Sequence, residues 1–411
     1  MRIPTSQIYD RGLNSVLDAQ RKLLHVQNQI ASETRILTPA DDPVGKAQTL
    51  GLDDKISQNE QFQRNSNLLK NRLQRTDSIY SSITIGLDRA RMLMIQSGNG
   101  VYDDQDHRAL AAELSGIRDE MESLMNSQDE NGDYLFSGFQ KRTEPFSKDP
   151  VTGTYNYNGD DGRNQVQLSP ALRVTSVEPG SSAFQNVEAN RTIKFSDSTG
   201  SVTGIDARVT DRAAFDAFHG GQYNKTQAPD LNELRFDFDG TNINVHRINA
   251  PGDPLVAGPI PYSPGEPLKF NGIEIEFSGN FAAGDSVEVR LSEPTQNVLT
   301  TLDTFIDALE KGGLSGDMFE EQLTNALENM DRAQERLSSV RAQTGGRLNV
   351  LENSFKNNMD LEISNRDTRS KISDVDYSEA MTELTKQDIM LQAAQATFTR
   401  ITRLSLFDFI R

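Results

Sequence analysis

The 411-residue chain contains no cysteine and no tryptophan, and only 7% of its residues are aromatic. Without cysteine it can form neither a disulfide nor a thiolate metal site, and cysteine catalysis is excluded. The length favours about two to four domains. With 35% hydrophobic and 25% charged residues the chain can fold, but we expect elongated parts with little deep core rather than one large globule.

Long hydrophobic runs are also missing. No stretch approaches the ~20 consecutive apolar residues that cross a membrane. The start, Met1-Arg2-Ile3-Pro4, is not followed by the apolar segment of a general secretion signal. If the protein leaves the cell, we expect export without a cleaved signal peptide.

The net charge of −18 is concentrated in the middle of the chain. Residues 1–50 hold six basic and five acidic side chains, a net of +1, and residues 361–411 hold seven basic and eight acidic ones, a net of −1. Neutral ends can pack side by side without repulsion, whereas an acidic exterior disfavours nucleic acid and anionic membranes. We therefore expect neither nucleic acid nor a membrane as a partner.

Both ends carry an apolar pattern that steps by three and four residues, which predicts coiled-coil helices. The N-terminal stripe comprises Leu13, Val16, Gln20, Leu23, Gln27 and Ile30. The C-terminal stripe comprises Ala380, Leu384, Gln387, Leu391, Ala394, Phe398 and Ile401, with Leu406 and Phe407 beyond it. Stripes at both extremities favour a subunit that completes its core against neighbours. A closed helical hairpin within one domain is the alternative.

Ordering two such helices costs about 1–2 kcal/mol per residue, which makes the isolated pair marginal. We therefore predict that residues before about Pro43 and after about Ile372 are flexible in the monomer and become helical on assembly. The stripe glutamines are predicted to fix the register of the helices. The predicted assembly interface consists of Leu13, Val16, Leu23, Ile30, Leu384, Leu391, Phe398, Leu406 and Phe407.

Between the ends, the helical period continues over long segments. It predicts a helix over residues 52–94, with Asp42 as its cap and Pro43 at its first position. A second helix is expected to begin at Asp103, three residues before Asp106, and to run to the turn at residues 131–132. A short helix around residues 299–309 and a long one over 330–359 complete this predicted helical rod.

The region of residues 140–294 alternates with period two instead, which predicts an inserted β domain. One short helix is expected at residues 211–218, closed by Gly220 and Gly221. The six prolines in residues 251–267 favour a stiff surface loop between two strands over a proline-rich ligand for another domain. The predicted strands cover residues 154–157, 191–195, 233–238, 243–245, 273–277 and 286–291.

Candidate catalytic or metal-binding groups are sparse. The four histidines, His25, His107, His219 and His246, are far apart and each fits a structural role better than that of a ligand or base. Asp237 and Asp239 resemble part of a calcium loop, but the ligand spacing stops there, so a strand followed by a turn is favoured. Three aspartates near residue 103 are explained by helix capping. We expect no enzyme, no cofactor and no metal.

Short motifs stand at both ends of the chain. At the N-terminal end these are Met1-Arg2-Ile3, Gln29-Ile30-Ala31-Ser32, Arg35-Ile36 and Pro39-Ala40-Asp41-Asp42-Pro43. At the C-terminal end they are Ile372-Ser373-Asp374-Val375-Asp376-Tyr377 and Gln392-Ala393. These motifs resemble the flagellin superfamily. Three further motifs resemble the hook-filament junction proteins within it: Tyr134-Leu135-Phe136-Ser137-Gly138, Leu404-Ser405-Leu406-Phe407, and Glu178-Pro179-Gly180 with Phe184. Glu33-Thr34 departs from the Ser-Gly pair that is common in the family.

Read physically, these motifs contain a helix stop and restart at residues 39–43, a capping box of Ser373 with Asp376, and a short apolar strand at residues 134–136. The resemblance implies an α+β fold with a long antiparallel helical rod, terminal coiled-coil helices from both ends and an inserted all-β domain. The predicted segments are residues 1–43, 44–139, 140–294, 295–371 and 372–411.

The implied function is that of a structural adaptor between the hook side of the bacterial flagellum and its filament, located outside the cell. The implied partners are neighbouring copies, the first hook-associated protein, flagellin and a cytoplasmic chaperone for type III export. Two alternatives stay open: a filament flagellin, and a surface adhesin that carries a β domain on a coiled-coil stalk.

Overall fold

The structure, a computed structural model, describes residues 5–150, 153–279, 281–311 and 316–409. Helices lie at both ends of the chain and strands occupy its middle, which confirms the predicted α+β class. The α-helices of the described part are α1 (Thr5–Ala31), α2 (Pro43–Ser97), α3 (Asp104–Met125), α4 (Arg212–Gln222), α5 (Val298–Lys311), α6 (Gly316–Ser373) and α7 (Tyr377–Phe409).

The predicted helix starts are confirmed. Asp42 accepts a hydrogen bond from the backbone N–H of Gly45 at 2.8 Å, and Pro43 opens α2. Asp103 caps α3 by accepting from the N–H groups of Gln105 and Asp106, and the Asp106 side chain accepts in return from the N–H of Asp103. Caps of this kind satisfy backbone donors that the first helical turn leaves unpaired.

Fourteen short strands follow one another in the described part of the middle region, in five small sheets. The strands are β1 (Phe146–Lys148), β2 (Tyr155–Tyr157), β3 (Gln165–Gln167), β4 (Arg173–Thr175), β5 (Val187–Glu188), β6 (Ile193–Thr199), β7 (Gly204–Val209), β8 (Glu233–Phe238), β9 (Asn242–Arg247), β10 (Leu255–Pro261), β11 (Leu268–Phe270), β12 (Ile273–Ser278), β13 (Ser286–Leu291) and β14 (Thr295–Gln296). The largest sheet has the order β10-β9-β8-β13-β6, the next has the order β11-β12-β7, and three sheets are pairs: β1-β2, β3-β4 and β5-β14.

Alternation along the central strands produces the core of this β region. Leu234, Phe236 and Phe238 on β8 are buried, as are Val287 and Val289 on the neighbouring β13. Every second side chain of a strand faces the same side, so one face of the sheet is dry and the other is wet. The predicted period-two segments are thereby confirmed as strands.

Three local predictions are wrong. The proline-rich segment is not only a loop, because Leu255–Pro261 pairs with β9 as a bulged edge strand, where prolines are tolerated. Residues 134–136 form no strand: Tyr134 makes one isolated bridge, and Leu135 and Phe136 pack as a buried loop. Helix α4 runs through both predicted terminating glycines and ends at Gln222.

The described chain divides into two compact units. The first consists of the chain up to Leu68, Gln167–Arg173 and the chain from Val350 onward. The second consists of Leu69–Val166 and Val174–Asn349. The five predicted segment boundaries stay predictions, although Pro43 does open α2 and α6 ends at Ser373, close to the predicted boundary at 371/372.

An aromatic cluster joins loop and helix in the second unit. The ring of Phe136 lies 5.7 Å from that of Tyr80 on α2 and 5.2 Å, edge to face, from that of Phe184. Phe146 on β1 completes the group at 5.9 Å from Phe184. Two motifs of the family resemblance, residues 134–138 and 178–180 with Phe184, therefore meet in one core and stabilise each other.

Asn190 fastens the β region to α6 within the same unit. Its backbone N–H donates to Asn329 Oδ1 at 2.7 Å, and its side-chain amide donates to Asn325 and Glu328. Asn190 is buried, and a buried amide that lost these partners would carry a desolvation penalty of about 1–3 kcal/mol. This joint is a polar contact that no sequence period predicts.

His219 lies on α4 and is buried. Its ring faces Ser292, the residue that follows β13. Its Nε2 lies 2.8 Å from the carbonyl oxygen of Ser292, and its ring stacks on Tyr223 at 5.4 Å. Burial lowers the pKa of His219 to about 4, because the charged imidazolium would lose its hydration. The side chain is therefore a neutral core residue at physiological pH.

We expect His219 to make the stability of the β region depend on pH. The folded-state pKa is about 4 and the unfolded value is about 6.5, so the unfolded chain binds more protons between these values. Stability is complete above about pH 6.5 and decreases as the pH falls toward 4, by up to about 3 kcal/mol. Urea unfolding of wild type and His219→Gln across this range is the measurement. An unchanged pH slope in the variant would contradict the assignment.

Candidate assembly surface

Helices α1 and α7 pack against each other. Ala380 and Gln387 are buried, and Leu384, Leu391, Ala394 and Phe398 are half-buried, so they form the least exposed face of α7. On α1, Val16, Leu23 and Ile30 are half-buried, whereas Leu13 is exposed. The buried and half-buried members of the two stripes therefore lie on helices that already pack against each other within one chain. Leu406 and Phe407 lie in the last part of α7, where side chains fall outside the described part.

Two aromatic rings pack against each other between the N-terminal part of α1 and the C-terminal half of α7. The rings of Tyr9 and Phe398 lie 5.1 Å apart, tilted by 53°. A Cβ on Gly12 would lie 2.9 Å from Phe398, so glycine is what allows the helix backbone to approach the ring here. The N-terminal stripe thus begins earlier than predicted, at Tyr9.

The three stripe glutamines do not share one environment. Gln387 is buried and donates from Nε2 to Glu383 at 2.6 Å, which lowers the pKa of Glu383. Gln20 and Gln27 are exposed on α1. A role in fixing register therefore stays a prediction for Gln387, while the two N-terminal glutamines lie off the buried seam. Val26, which the stripe omitted, is buried in their place.

A short backbone connection joins the two chain ends next to the helices. Thr34 and Asp374 form an isolated antiparallel bridge. The N–H of Arg35 donates to the carbonyl of Ser373 at 2.7 Å, and the N–H of Val375 donates to the carbonyl of Glu33 at 3.1 Å. The guanidinium of Arg35 adds a bond of 2.9 Å to the carbonyl of Ile372. The N-terminal and C-terminal motifs of the family resemblance are thus direct hydrogen-bonding partners.

Asp41 and Asp42 organise the N-terminal side of this connection. Asp41 accepts from the N–H of Thr38 at 2.7 Å, and this bond lowers the pKa of its carboxyl. The N–H of Gly45 and the Arg35 guanidinium likewise lower the pKa of Asp42. Both carboxylates are therefore ionised at neutral pH, and Asp42 ties the start of α2 to Arg35 at 3.0 Å.

On the C-terminal side, the predicted capping box is wrong. Ser373 is the last residue of α6, and its hydroxyl donates to Asp374 at 3.1 Å. Asp376 instead caps α7, because its Oδ1 accepts from the N–H of Ser378 at 2.8 Å and from the N–H of Glu379. The motif therefore separates two helices rather than opening one box.

Glu33 follows the end of α1 with φ of +58°, in the left-handed region. Residues other than glycine rarely adopt this conformation, because their Cβ crowds the following carbonyl. The positive φ thus falls at Glu33, the first residue of the pair that departs from the family pattern.

Other apolar residues of the two helices face solvent. On α1, Leu17 and Leu24 are one heptad apart and Leu24 is 48% exposed. On α7, Met381 is 51% exposed and Ile389 is 61% exposed. Ile389 precedes Leu391 by two residues, which at 3.6 residues per turn puts it nearly opposite the seam. Sequence reasoning missed these residues because it followed one stripe per helix, although each is visible as an apolar residue off the heptad.

The histidines and aspartates considered for chemistry have structural roles. His25 lies 3.7 Å from Asp41, His107 contacts the carbonyl of Ser97 at 3.1 Å, and His246 contacts that of Asp253 at 3.0 Å. Asp239 accepts from two backbone N–H groups of the turn after β8, as the preferred interpretation required. Among the described residues, no group of three acidic or histidine side chains could hold a metal ion.

Both helical ends match a known family. Residues 3–141 match the bacterial flagellin N-terminal helical region, and residues 327–410 match the bacterial flagellin C-terminal helical region. Together these regions cover more than half of the chain. The chain belongs to the flagellin superfamily. Its paired α1 and α7 fall within the two matched regions.

The relatives include flagellar hook-associated proteins 3 and filament flagellins. The chain is 22% identical over 408 residues, 99% of both proteins, to flagellar hook-associated protein 3 of Escherichia coli. It is 28% identical over 190 residues to flagellar hook-associated protein 3 of Salmonella typhimurium, which is 46% of this chain and 59% of that relative. A crystal structure of flagellar hook-associated protein 3 from Legionella pneumophila is 26% identical, with a TM-score of 0.54 over 78% of this chain and 98% of that one. These matches confirm the predicted resemblance and the fold.

No helix among the described residues is long and apolar enough to cross a membrane.

We predict that the backbone amides of α1 and α7 exchange their hydrogens rapidly in the isolated monomer, because the contact between these helices buries few residues completely. Hydrogen exchange on the dilute protein should show weak protection before about Pro43 and after about Ile372, and strong protection over the core of α2 and α3. Strong protection of both end helices would refute this prediction and support the closed hairpin.

Replacing Glu33 by glycine should stabilise the end of α1 by about 1 kcal/mol, because the strain at positive φ is removed. In trimethylamine oxide, which favours folded arms, exchange of the amides of residues 32–35 should slow about fivefold, as 1 kcal/mol implies. Glu33→Ala is the control, because it removes the carboxylate but keeps the strain. Equal exchange in Glu33→Gly and Glu33→Ala would show that the conformation is not strained.

Proposed function

We propose that this protein is the structural adaptor of a bacterial flagellum that forms the ring between the hook side and the flagellin filament. The observation that carries the proposal is the direct joining of the two chain ends, α1 to α7 and residues 33–35 to 373–375, by motifs typical of the family. A subunit whose ends form one paired element can present that element to copies above, below and beside it. The structural similarity to the hook-associated protein 3 of Legionella pneumophila, at 26% identity and a TM-score of 0.54, supports the adaptor over a filament subunit.

The proposed partners follow from this position. Neighbouring copies complete the ring, the first hook-associated protein lies on the hook side and flagellin on the filament side. A cytoplasmic chaperone covers the end helices before export through the flagellar type III route. The exposed apolar residues Leu17, Leu24, Met381 and Ile389 supply surface for such contacts without opening the α1–α7 seam.

Loss of the gene tests the adaptor against its alternatives. We expect the null mutant to build hooks that carry no filament and to release flagellin into the medium, because the filament has no base on which to grow. Electron microscopy of the cells and detection of flagellin in the supernatant are the measurements, with the restored gene as control. Filaments on the mutant would exclude the adaptor, and normal swimming with lost surface attachment would favour an adhesin.

Two charged substitutions separate the seam from the outer face of α7. Ile389→Asp puts a carboxylate on the exposed face, where contact with a neighbour would make it cost several kcal/mol. Leu391→Asp puts the same group into the α1–α7 seam. We expect both variants to lose filament attachment and chaperone binding, while circular dichroism and thermal melting of the remaining protein stay as in wild type.

The two variants should differ in one respect: only Leu391→Asp should prevent α1 and α7 from pairing in trimethylamine oxide. Gln395→Asp, also on α7 and exposed, is the matched control and should swim normally. If Ile389→Asp swims as well as this control, the outer face of α7 is not an assembly surface. If Leu391→Asp unfolds the whole protein, the seam belongs to the core of the monomer.

A further inference from the structure

A small cavity lies in the second unit, beside the two motifs that meet in the aromatic core. Its walls come from α2, from the loop of residues 134–139, from residues 162–164 and from residues 176–179. The space available to the centre of a water-sized sphere is about 10 Å³, which is close to the minimum that one water molecule requires. The cavity is therefore large enough for one water and too small for an organic ligand.

Two hydrogen-bonding atoms of this wall have no protein partner among the described residues. These are Nε of Arg72 and Oγ of Ser176, and both atoms are fully buried. Ser176 is only 2% exposed, and its backbone N–H is already used by the carbonyl of Asn164 at 2.7 Å. The Nε–H of arginine is a donor only, so an acceptor is needed beside it.

The neighbouring polar groups are already engaged. Glu178 is 4% exposed, and its two oxygens accept separately from Arg163, at 3.1 Å, and from Arg347. Asn164 donates from Nδ2 to the carbonyl of Gly138 at 3.2 Å. The ion pair of Arg72 with Asp129, at 3.7 Å, uses Nη2 and leaves Nε free. In the described structure, Nε of Arg72 is therefore left without a protein acceptor.

We propose that this cavity is a binding site for one structural water, which accepts from Arg72 Nε and exchanges a hydrogen bond with Ser176 Oγ. A buried water with two to four polar partners satisfies groups that would otherwise carry the full penalty of burial. The remaining hydrogens of the water face a wall that includes Asn164 and Glu178. The site links α2 to the strand that leads into residues 178–180, independently of the assembly function.

The protein itself can be tested by oxygen-17 magnetic relaxation dispersion, which counts long-lived buried waters, and by a crystal structure that resolves solvent. We expect one water within hydrogen-bonding distance of Arg72 Nε and Ser176 Oγ. Ser176→Val, which fills the space with methyl groups, should lower the count of long-lived waters by one. Ser97→Ala is the matched control, because it also removes a buried hydroxyl, but one that donates to the carbonyl of Met94.

A second pair of variants isolates the arginine. Arg72→Lys keeps the charge but removes the Nε donor, and should shorten the residence time of the water. Asp129→Asn weakens the ion pair but keeps Nε, and should leave the water in place. A dry cavity in the wild-type crystal, or anomalous scattering from bromide in that position after a soak, would overturn the water assignment. Equal water counts in wild type and Ser176→Val would do the same.

Discussion

The backbone bridge between residues 33–35 and 373–375 is the constraint on which the first unit depends. Arg35 donates to the carbonyl of Ile372 across a sequence separation of 337 residues. Closing so long a loop costs conformational entropy, which the folding of the residues in between must offset. The bridge fixes where α1 stops and where α7 starts. The pairing of the end helices then follows from their positions, and their stripes need only a modest burial to select one face.

Local physics accounts for the parts that the sequence predicts well. The start of α2 depends on Asp42 and Pro43, which are adjacent in sequence. The start of α3 depends on Asp103 and Asp106, which are three residues apart. The strands β8 and β13 follow from alternation over six residues each. The face of α7 toward α1 follows from the heptad alone, since Ala380, Leu384 and Gln387 lie where the spacing puts them.

Partners distant in sequence account for the parts that it misses. The end of α6 decides whether Ser373 or Asp376 caps α7. Helix α6 ends at Ser373, whose carbonyl accepts a hydrogen bond from the N–H of Arg35. The edge strand Leu255–Pro261 exists because β9 lies beside it, against the preference of its prolines. Gln20 and Gln27 fit the heptad but lie off the seam, because a period gives a stripe without giving the rotation at which the partner helix contacts it.

Helices α1 and α7 carry apolar residues on two faces, one in the α1–α7 seam and one exposed to solvent. The seam, which includes Leu391 and Phe398, is already occupied by contacts between α1 and α7 of the same chain. An interface built only from it would have to break that pair before any neighbour could bind. Ile389 and Leu24 lie outside the seam and stay exposed while it is closed. In the proposed assembly, contacts through them would add burial to the α1–α7 pair, so each bound neighbour would stabilise that pair against unfolding. The near-neutral ends of an otherwise acidic chain let such neighbours approach without repulsion.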